Sequence, residues 1–385
     1  MDSDRDSPTG DKDSDRDSPT VDKDSDRDSP TVDKDSDRDS ATVEREDAVR
    51  SRQRWLSSLR AVAPGVGLLV ALGALARVAS GVLPVASELV VAVVLGIAIA
   101  NLVDVPERLR PGIETHGFWL AAGIVLMGAR VSLSTLLDTG PRLVVLVLAV
   151  VAVTLVLVEL LAAFAFGVDR KLGSLLAAGA SVCGVSAAVA VAGSIRANQD
   201  DVAFAAGTIL LFDVVTLFAY PVVGNLLALP ERVFGVWAGL TMFSTGPVTA
   251  AGFAFGDVAG RWATVTKLTR NLLIGAVVAG YSIRYADPDE DALSVRGLWR
   301  TFPKFVLGFF AVVVLTSSPL VPDAVTAQVE AGYRALFLLA FAGLGLGVDV
   351  AELRRTGATP IALVLTALVA TSAIALLAVQ VLLGG

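Results

Sequence analysis

Pro141-Arg-Leu-Val-Val-Leu-Val-Leu-Ala-Val-Val-Ala-Val-Thr-Leu-Val-Leu-Val-Glu-Leu-Leu-Ala-Ala-Phe-Ala-Phe166 is a run of 26 residues. Past Arg142 at its lip, the only charge is Glu159. About 20 apolar residues suffice for a helix to cross the hydrocarbon core of a bilayer. The run therefore reads as a transmembrane helix, and the same texture recurs on both sides of it. Eleven apolar segments are predicted, at 61–79, 84–103, 116–137, 141–166, 171–195, 202–229, 235–256, 262–286, 302–322, 333–349 and 358–384. With 54% hydrophobic residues in 385, concentrated after Ala48, a water-soluble globule is excluded. The fold class is an all-α polytopic membrane protein of ten to eleven transmembrane helices.

The formal net charge of −7 joins three unlike parts. Met1–Asp47 holds 18 acidic and 8 basic residues, Ala48–Arg60 has four Arg and no acid, and Ala61–Gly385 has 20 acids and 19 bases. These define an acidic tail (1–47), a basic juxtamembrane segment (48–60) and a transmembrane transporter domain (61–385). The tail is four copies of an 11-residue unit, beginning at Asp2, Asp13, Asp24 and Asp35. Only Val21, Val32 and Val43 recur as apolar positions, so nothing offsets the entropy of ordering and disorder is predicted. The tail lacks the apolar core of a cleavable signal, which leaves insertion to the first membrane segment.

A lone Cys183 rules out an internal disulfide, and a lone His116 rules out a His-cluster metal site. No cofactor or metal is expected. A neutral membrane body and an acidic tail carry no footprint for nucleic acid. The partners expected are the lipid bilayer and a small anion, with a homo-oligomer left open. Counting Lys and Arg in the connecting loops gives fifteen on the side of the amino terminus and six on the other. That bias predicts a cell-membrane protein with a cytoplasmic amino terminus and, after eleven crossings, an external carboxyl terminus.

Sliding the chain by 217 positions sets Gly128, Val131, Leu136, Thr139 and Gly140 on Gly345, Val348, Leu353, Thr356 and Gly357. Each copy ends one apolar segment and begins another, with an odd number of crossings between the copies. That is the pattern of an inverted-topology repeat, common in secondary transporters. Coincidence of frequent residue types is the competing reading.

Two segments are Gly-rich and predicted to break near the membrane midplane. In segment five, Gly179 and Gly184 allow unwinding, which makes Ser181, Cys183, Gly184 and Ser186 candidates to line a site; a small-residue packing face is the alternative. In segment seven, Pro247 breaks the helix near Gly246, and Ser244 or Thr245 can cap a new half-helix. Its free N–H groups and positive dipole end then favour an anion, with Thr249 one turn on. An ordinary proline kink would look similar. Lys267 and Arg270 share one helical face in segment eight, with Asn271 at i+4 from Lys267, and are expected to charge the site or to snorkel to the interface. Asp213, in the middle of segment six, is the best intramembrane acid: a counter-ion, a coupling group or a structural hydrogen bond.

Leu126-Met-Gly-Ala-Arg-Val-Ser-Leu133, Ala180-Ser-Val-Cys-Gly-Val-Ser-Ala187, Trp237-Ala-Gly239, Lys267-Leu-Thr-Arg270 and Phe302-Pro-Lys-Phe-Val-Leu-Gly-Phe309 follow one another in the chain. This ordered set, over Pro64 to the carboxyl end, resembles the YeiH-like family of bacterial and archaeal membrane proteins, labelled sulfate exporters. The resemblance implies an integral-membrane transporter, with export and a sulfate-like substrate. After Trp-x-Gly the family shows a His and then an acidic residue, whereas Phe243 and Ser244 stand here, so a proton relay at that pair is not carried over.

The residues thus point to a secondary-active anion transporter with no catalytic group, Cys183 having no local base. Lys267→Ala is expected on this reading to abolish flux without unfolding the protein. A cation-coupled organic-anion symporter is the alternative within the class, and a passive channel or non-transporting receptor is the alternative outside it.

Overall fold

The computed structural model describes residues 60–81, 87–131, 133–285, 303–317, 323–353 and 357–383. The acidic repeat and residues 48–59 of the basic segment lie outside the described residues, as do Ser132 and Phe302 of the family motifs. Among the described residues all regular structure is helical: α1 (Arg60–Gly81), α2 (Glu88–Leu102), α3 (His116–Met127), α4 (Leu133–Leu160), α5 (Arg170–Ser181), α6 (Val185–Ser194) and α7 (Gln199–Leu226). These are followed by α8 (Glu231–Thr241), α9 (Thr245–Phe255), α10 (Asp257–Asn271), α11 (Ile274–Arg284), α12 (Phe305–Thr316), α13 (Asp323–Leu346) and α14 (Ala358–Leu383). Five described helices are long and apolar enough to cross a membrane on their own. The chain is a polytopic membrane protein.

Contacts between helix ends trace the path. Arg77 near the end of α1 pairs with Glu88 at the start of α2, at 3.3 Å. At the other end of α2, Asn101 donates to the Val348 carbonyl and accepts from the Val350 N–H, both at 2.8 Å. His116, opening α3, lies against Gly343 near the end of α13. The ends near Arg60, Leu102, His116 and Leu346 therefore share one face, called here the amino face. On the opposite, carboxyl face, Arg130 after α3 pairs with Glu330 of α13 at 3.2 Å, and Arg334 with Asp257 of α10 at 2.7 Å. The Leu133 N–H donates to the Ser317 hydroxyl there, joining the start of α4 to the end of α12. α4 returns to the amino face, where Glu159 accepts from Ser174 at 2.7 Å and Tyr281 at 2.8 Å and pairs with Arg284.

Segments five and seven are broken, as their glycines and proline dictate, but neither continues across. Lys171, at the start of α5, donates to the Arg196 carbonyl just after α6, at 2.8 Å. Had the two halves run on in line, those residues would stand roughly 38 Å apart at 1.5 Å per residue. α5 and α6 are thus a re-entrant hairpin rooted on the amino face. The Glu231 carboxylate, at the root of α8, likewise accepts from the Val258 and Ala259 N–H groups at 2.8 and 3.1 Å, so α8 and α9 form a second hairpin. α7 separates the two roots, and its 28 residues span about 42 Å, so the second hairpin enters from the carboxyl face. This corrects the count of eleven crossings. Nine passes cross among the described residues, α10 and α11 making one of them around a tightened turn at Leu272–Leu273.

The passes group into two bundles. α1, α2, α3, α12 and α13 pack together; Gly96 of α2 and Gly345 of α13 let their backbones approach so closely that a Cβ on either would strike the other helix. The hairpins pack with α4, α7, α10, α11 and α14. Here the Tyr220 ring stacks on Trp237 at 4.3 Å, and Trp237 donates to the Ser372 carbonyl at 3.0 Å. The repeat has a tertiary counterpart. α3 and α13 run antiparallel, with His116 against Gly343 and Leu126 against Gly332. The 217-residue slide carries α2 onto α12, α3 onto the second half of α13 and most of α4 onto α14, each pair crossing in opposite directions, as an axis of inversion requires.

Candidate functional site

The two hairpins meet tip to tip. Their tips, Val182–Gly184 and Met242–Ser244, are unwound, and Gly184 holds φ at +68°, a conformation L side chains rarely adopt. A Cβ at Gly184 would run into the Ser244 hydroxyl, so glycine is demanded both by the backbone and by its neighbour.

Each tip is the carboxyl end of one half-helix and the amino end of another. The carboxyl ends are held by two cations of α10. Lys267 donates to the Val182 carbonyl at 2.6 Å and the Met242 carbonyl at 3.1 Å, equivalent positions in the two tips. Arg270 donates to the Ala180 and Ser181 carbonyls of the first hairpin, at 2.7 and 2.9 Å. It also reaches the Gly239, Leu240 and Met242 carbonyls of the second, at 3.1, 2.6 and 2.9 Å. Both side chains are essentially inaccessible. Seven hydrogen bonds to carbonyls left over at helix ends, reinforced by two negative dipole ends, account for two buried cations with no paired carboxylate among the described residues.

The amino ends face a cavity of about 560 Å³ between the two bundles. The hairpin bundle supplies Cys183, Val185 and Ser186 from the first hairpin, Ser244, Thr245 and Gly246 from the second, and Asp213 of α7 and Asn271 of α10. The other bundle supplies an apolar wall of Val93, Ile97, Leu120, Ile124, Phe341 and Leu344. Gly117, Ala203, Gly347 and Asp349 line it where they are exposed, all at amino-face ends of their helices, and His116 stands beside them. Towards the carboxyl face the bundles are closed. Phe253 of α9 packs against Tyr333 and Phe337 of α13, with ring centroids 6.2 and 5.4 Å apart, below the Arg334–Asp257 ion pair.

Asp213 ties α7 to the second tip: its Oδ1 accepts from the Ser244 N–H at 2.9 Å. Ser244 is the N-cap of α9 and Pro247 lies in its first turn, as the sequence indicates, but the Ser244 side chain makes no capping bond to its own helix. The carboxylate of Asp213 instead fixes the N-cap residue through its own N–H. Asn271 donates to the Thr245 hydroxyl at 3.1 Å.

Of the residues singled out from the sequence, Cys183, Ser186, Asp213, Ser244, Thr245 and Gly246 come together on the cavity. Gly184 forms the contact between tips. Ser181 is turned inward, its hydroxyl on the Ala178 carbonyl, and Thr249 shares a hydrogen bond with Thr264. Neither lines the cavity, and neither do Lys267 and Arg270: their positive charge is spent on backbone carbonyls. Asn271 and the apolar wall were not singled out as site residues. Asn271 could have been found from its spacing behind Lys267, whereas Val93, Leu120 and Phe341 carry no signal that separates them from lipid-facing residues.

The chain matches the family described as Conserved hypothetical protein 698 over residues 64–364. A UPF0324 membrane protein of Nitratidesulfovibrio vulgaris is 32% identical over 277 residues, covering 70% of this chain and 77% of the relative. Another from Bradyrhizobium diazoefficiens is 33% identical over 316 residues, covering 78% and 88%, and one from Agrobacterium fabrum is 32% identical over 271, covering 70% and 77%. No solved structure matches. A match over most of the chain and relatives above 30% identity across two thirds of it place this protein in the UPF0324 family of membrane proteins, the same family as the YeiH-like proteins.

Proposed function

We propose that this protein is a secondary-active transporter of a small anion, and that the bundle carrying the two hairpins moves against the other bundle to expose the cavity to alternate faces. The observation that carries the reading is the meeting of two oppositely rooted hairpins at the floor of a cavity open on one face. The amino ends of α6 and α9 offer first-turn N–H groups that have no intrahelical acceptor, together with the Ser186 and Thr245 hydroxyls. Lys267 and Arg270 serve as a clamp that keeps both tips in one rigid piece.

Orientation follows from charge. Folding the hairpins back moves Arg196 to the amino face and Arg232 to the carboxyl face, which leaves the fifteen-to-six balance unchanged. We therefore assign the amino face to the cytoplasm of the cell membrane. The sulfate label and the direction of export rest on the family resemblance alone. A second reading has a specific observation behind it: sulfate fills a small part of a cavity walled by six aliphatic and aromatic side chains, so an organic anion with an apolar body also fits.

The test is uptake into proteoliposomes of sulfate, sulfite, thiosulfate and small carboxylates, driven by an imposed anion gradient. Saturable flux that exchanges across the bilayer supports a transporter. Flux that neither saturates nor exchanges would indicate a channel, and the absence of flux for every anion would overturn the reading.

A further inference from the structure

Two buried acceptors on the cavity floor have no donor among the described residues. Asp213 is 3% exposed and uses only Oδ1, on the Ser244 N–H, leaving Oδ2 unpartnered. Asn271 is 5% exposed and uses only Nδ2, on the Thr245 hydroxyl, leaving Oδ1 unpartnered. The two side chains come from different helices and bracket the same tip, Ser244–Thr245. Leaving one such acceptor unpaired in the interior is unfavourable, and two on side chains that line the cavity and hold adjacent residues of one tip are candidate ligands of one ion.

The charges around them define its chemistry. No ion pair to Asp213 occurs among the described residues, because Lys267 and Arg270 are taken up by tip carbonyls. The local set is one carboxylate oxygen, one amide oxygen and the hydroxyls of Ser244 and Thr245, all hard oxygen donors carrying a single formal charge. Among the described residues no three His, Cys, Asp or Glu come together as a transition metal or divalent ion would ask. We propose that Asp213 Oδ2 and Asn271 Oδ1 form a binding site for a monovalent alkali cation, Na⁺ in size and charge, at the tip of the second hairpin.

The site gives the proposed transporter its coupling, and in that respect it rests on the transport reading. Asp213, with no ion-pair partner among the described residues and beside the amino ends of α6 and α9, opposes an anion in the same cavity. A cation on Oδ2 cancels that charge, so each ion strengthens binding of the other by the same factor. The cation and the anion would then move together on the hairpin bundle.

The experiment uses the purified full-length protein in detergent, with thermal unfolding followed as NaCl replaces choline chloride at constant ionic strength and fixed pH. A ligand that binds only the folded state raises Tm in a saturable way. Na⁺ is expected to raise Tm, Asp213→Asn to abolish that rise, and Asn271→Ala to weaken it at least tenfold in Na⁺ concentration. Ser282→Ala, at a buried hydroxyl of α11 off the cavity, should leave it unchanged. Asn271→Asp replaces the amide oxygen by a carboxylate and should keep or tighten Na⁺ binding. Its loss there would mean that the amide faces the cavity with its NH₂, and would overturn the proposal. So would a Tm that responds to pH and not to Na⁺, or an equal Na⁺ effect in Asp213→Asn. Because binding is read without flux, a Na⁺ site in a protein that moves no anion sinks only the transport reading, whereas flux indifferent to Na⁺ with no Tm response sinks only the cation site.

Discussion

At the scale of single residues, Lys267 and Arg270 change role between sequence and structure. Their spacing puts both on one face of α10, which is correct, but the face meets carbonyls and not a solute. Arg270→Met keeps the bulk of the side chain and takes the guanidinium from five carbonyls, of which, among the described residues, only that of Met242 keeps a second donor, Lys267. Removing one side of such a buried charged network costs about 3–5 kcal/mol. A large fall in Tm, and loss of anion binding only as a consequence of misplaced tips, are the expected outcomes; a variant of normal Tm that had simply lost anion affinity would restore Arg270 to the cavity. For Lys267→Ala the expectation of lost flux in an otherwise intact protein becomes one of lowered stability as well. Gly184→Ala places a Cβ on Ser244 and strains a φ of +68°. It should cost about 1–3 kcal/mol through the backbone alone, read from the same melting curves.

At the scale of elements, the hairpins are what the sequence half discloses. Gly179, Gly184 and Pro247 announce breaks, but a break is compatible both with a kinked crossing and with a return. The return is enforced at the roots: Lys171 holds Arg196, and Glu231 caps the amino end of α10. These partners are 25 and 27 residues apart, too far for any local pattern to reveal. Topology labelling can check it. In a Cys183→Ser background, single cysteines at Arg170 and Arg196 should react with an impermeant thiol reagent from the same side of the membrane, and those at Arg232 and Arg261 from the other. Labelling of 170 and 196 from opposite sides would restore the eleven-crossing path.

At the scale of the whole molecule, the two bundles meet on the carboxyl face, where an aromatic cluster and the Arg334–Asp257 ion pair lie, and enclose between them a cavity that opens toward the amino face. Cys183, half-buried and on the cavity, is a native reporter of that asymmetry. An impermeant maleimide should reach it from the amino face. Arg334→Ala removes the ion pair to Asp257 and should let the reagent reach Cys183 from the carboxyl face as well, with little change in Tm, since a partly exposed pair contributes about 0–1 kcal/mol. Unchanged one-sided labelling would show that the aromatic cluster alone closes that face.

What the chain by itself determined is whatever depends on local composition and period. Uniform apolarity over 141–166 and its counterparts dictates membrane helices, because a bilayer leaves backbone polar groups no other partner. Gly184 and Pro247 dictate where helices break, and the 217-residue correspondence points to an inverted repeat that the packed helices then bear out. Only the tertiary structure decided which way each broken helix turns, that Lys267 and Arg270 clamp the tips while Asp213 and Asn271 face the cavity, and which apolar side chains wall it. Those choices rest on pairing between groups far apart in sequence, and in a chain this apolar a residue facing lipid and one facing a cavity are chemically alike until the helices are packed.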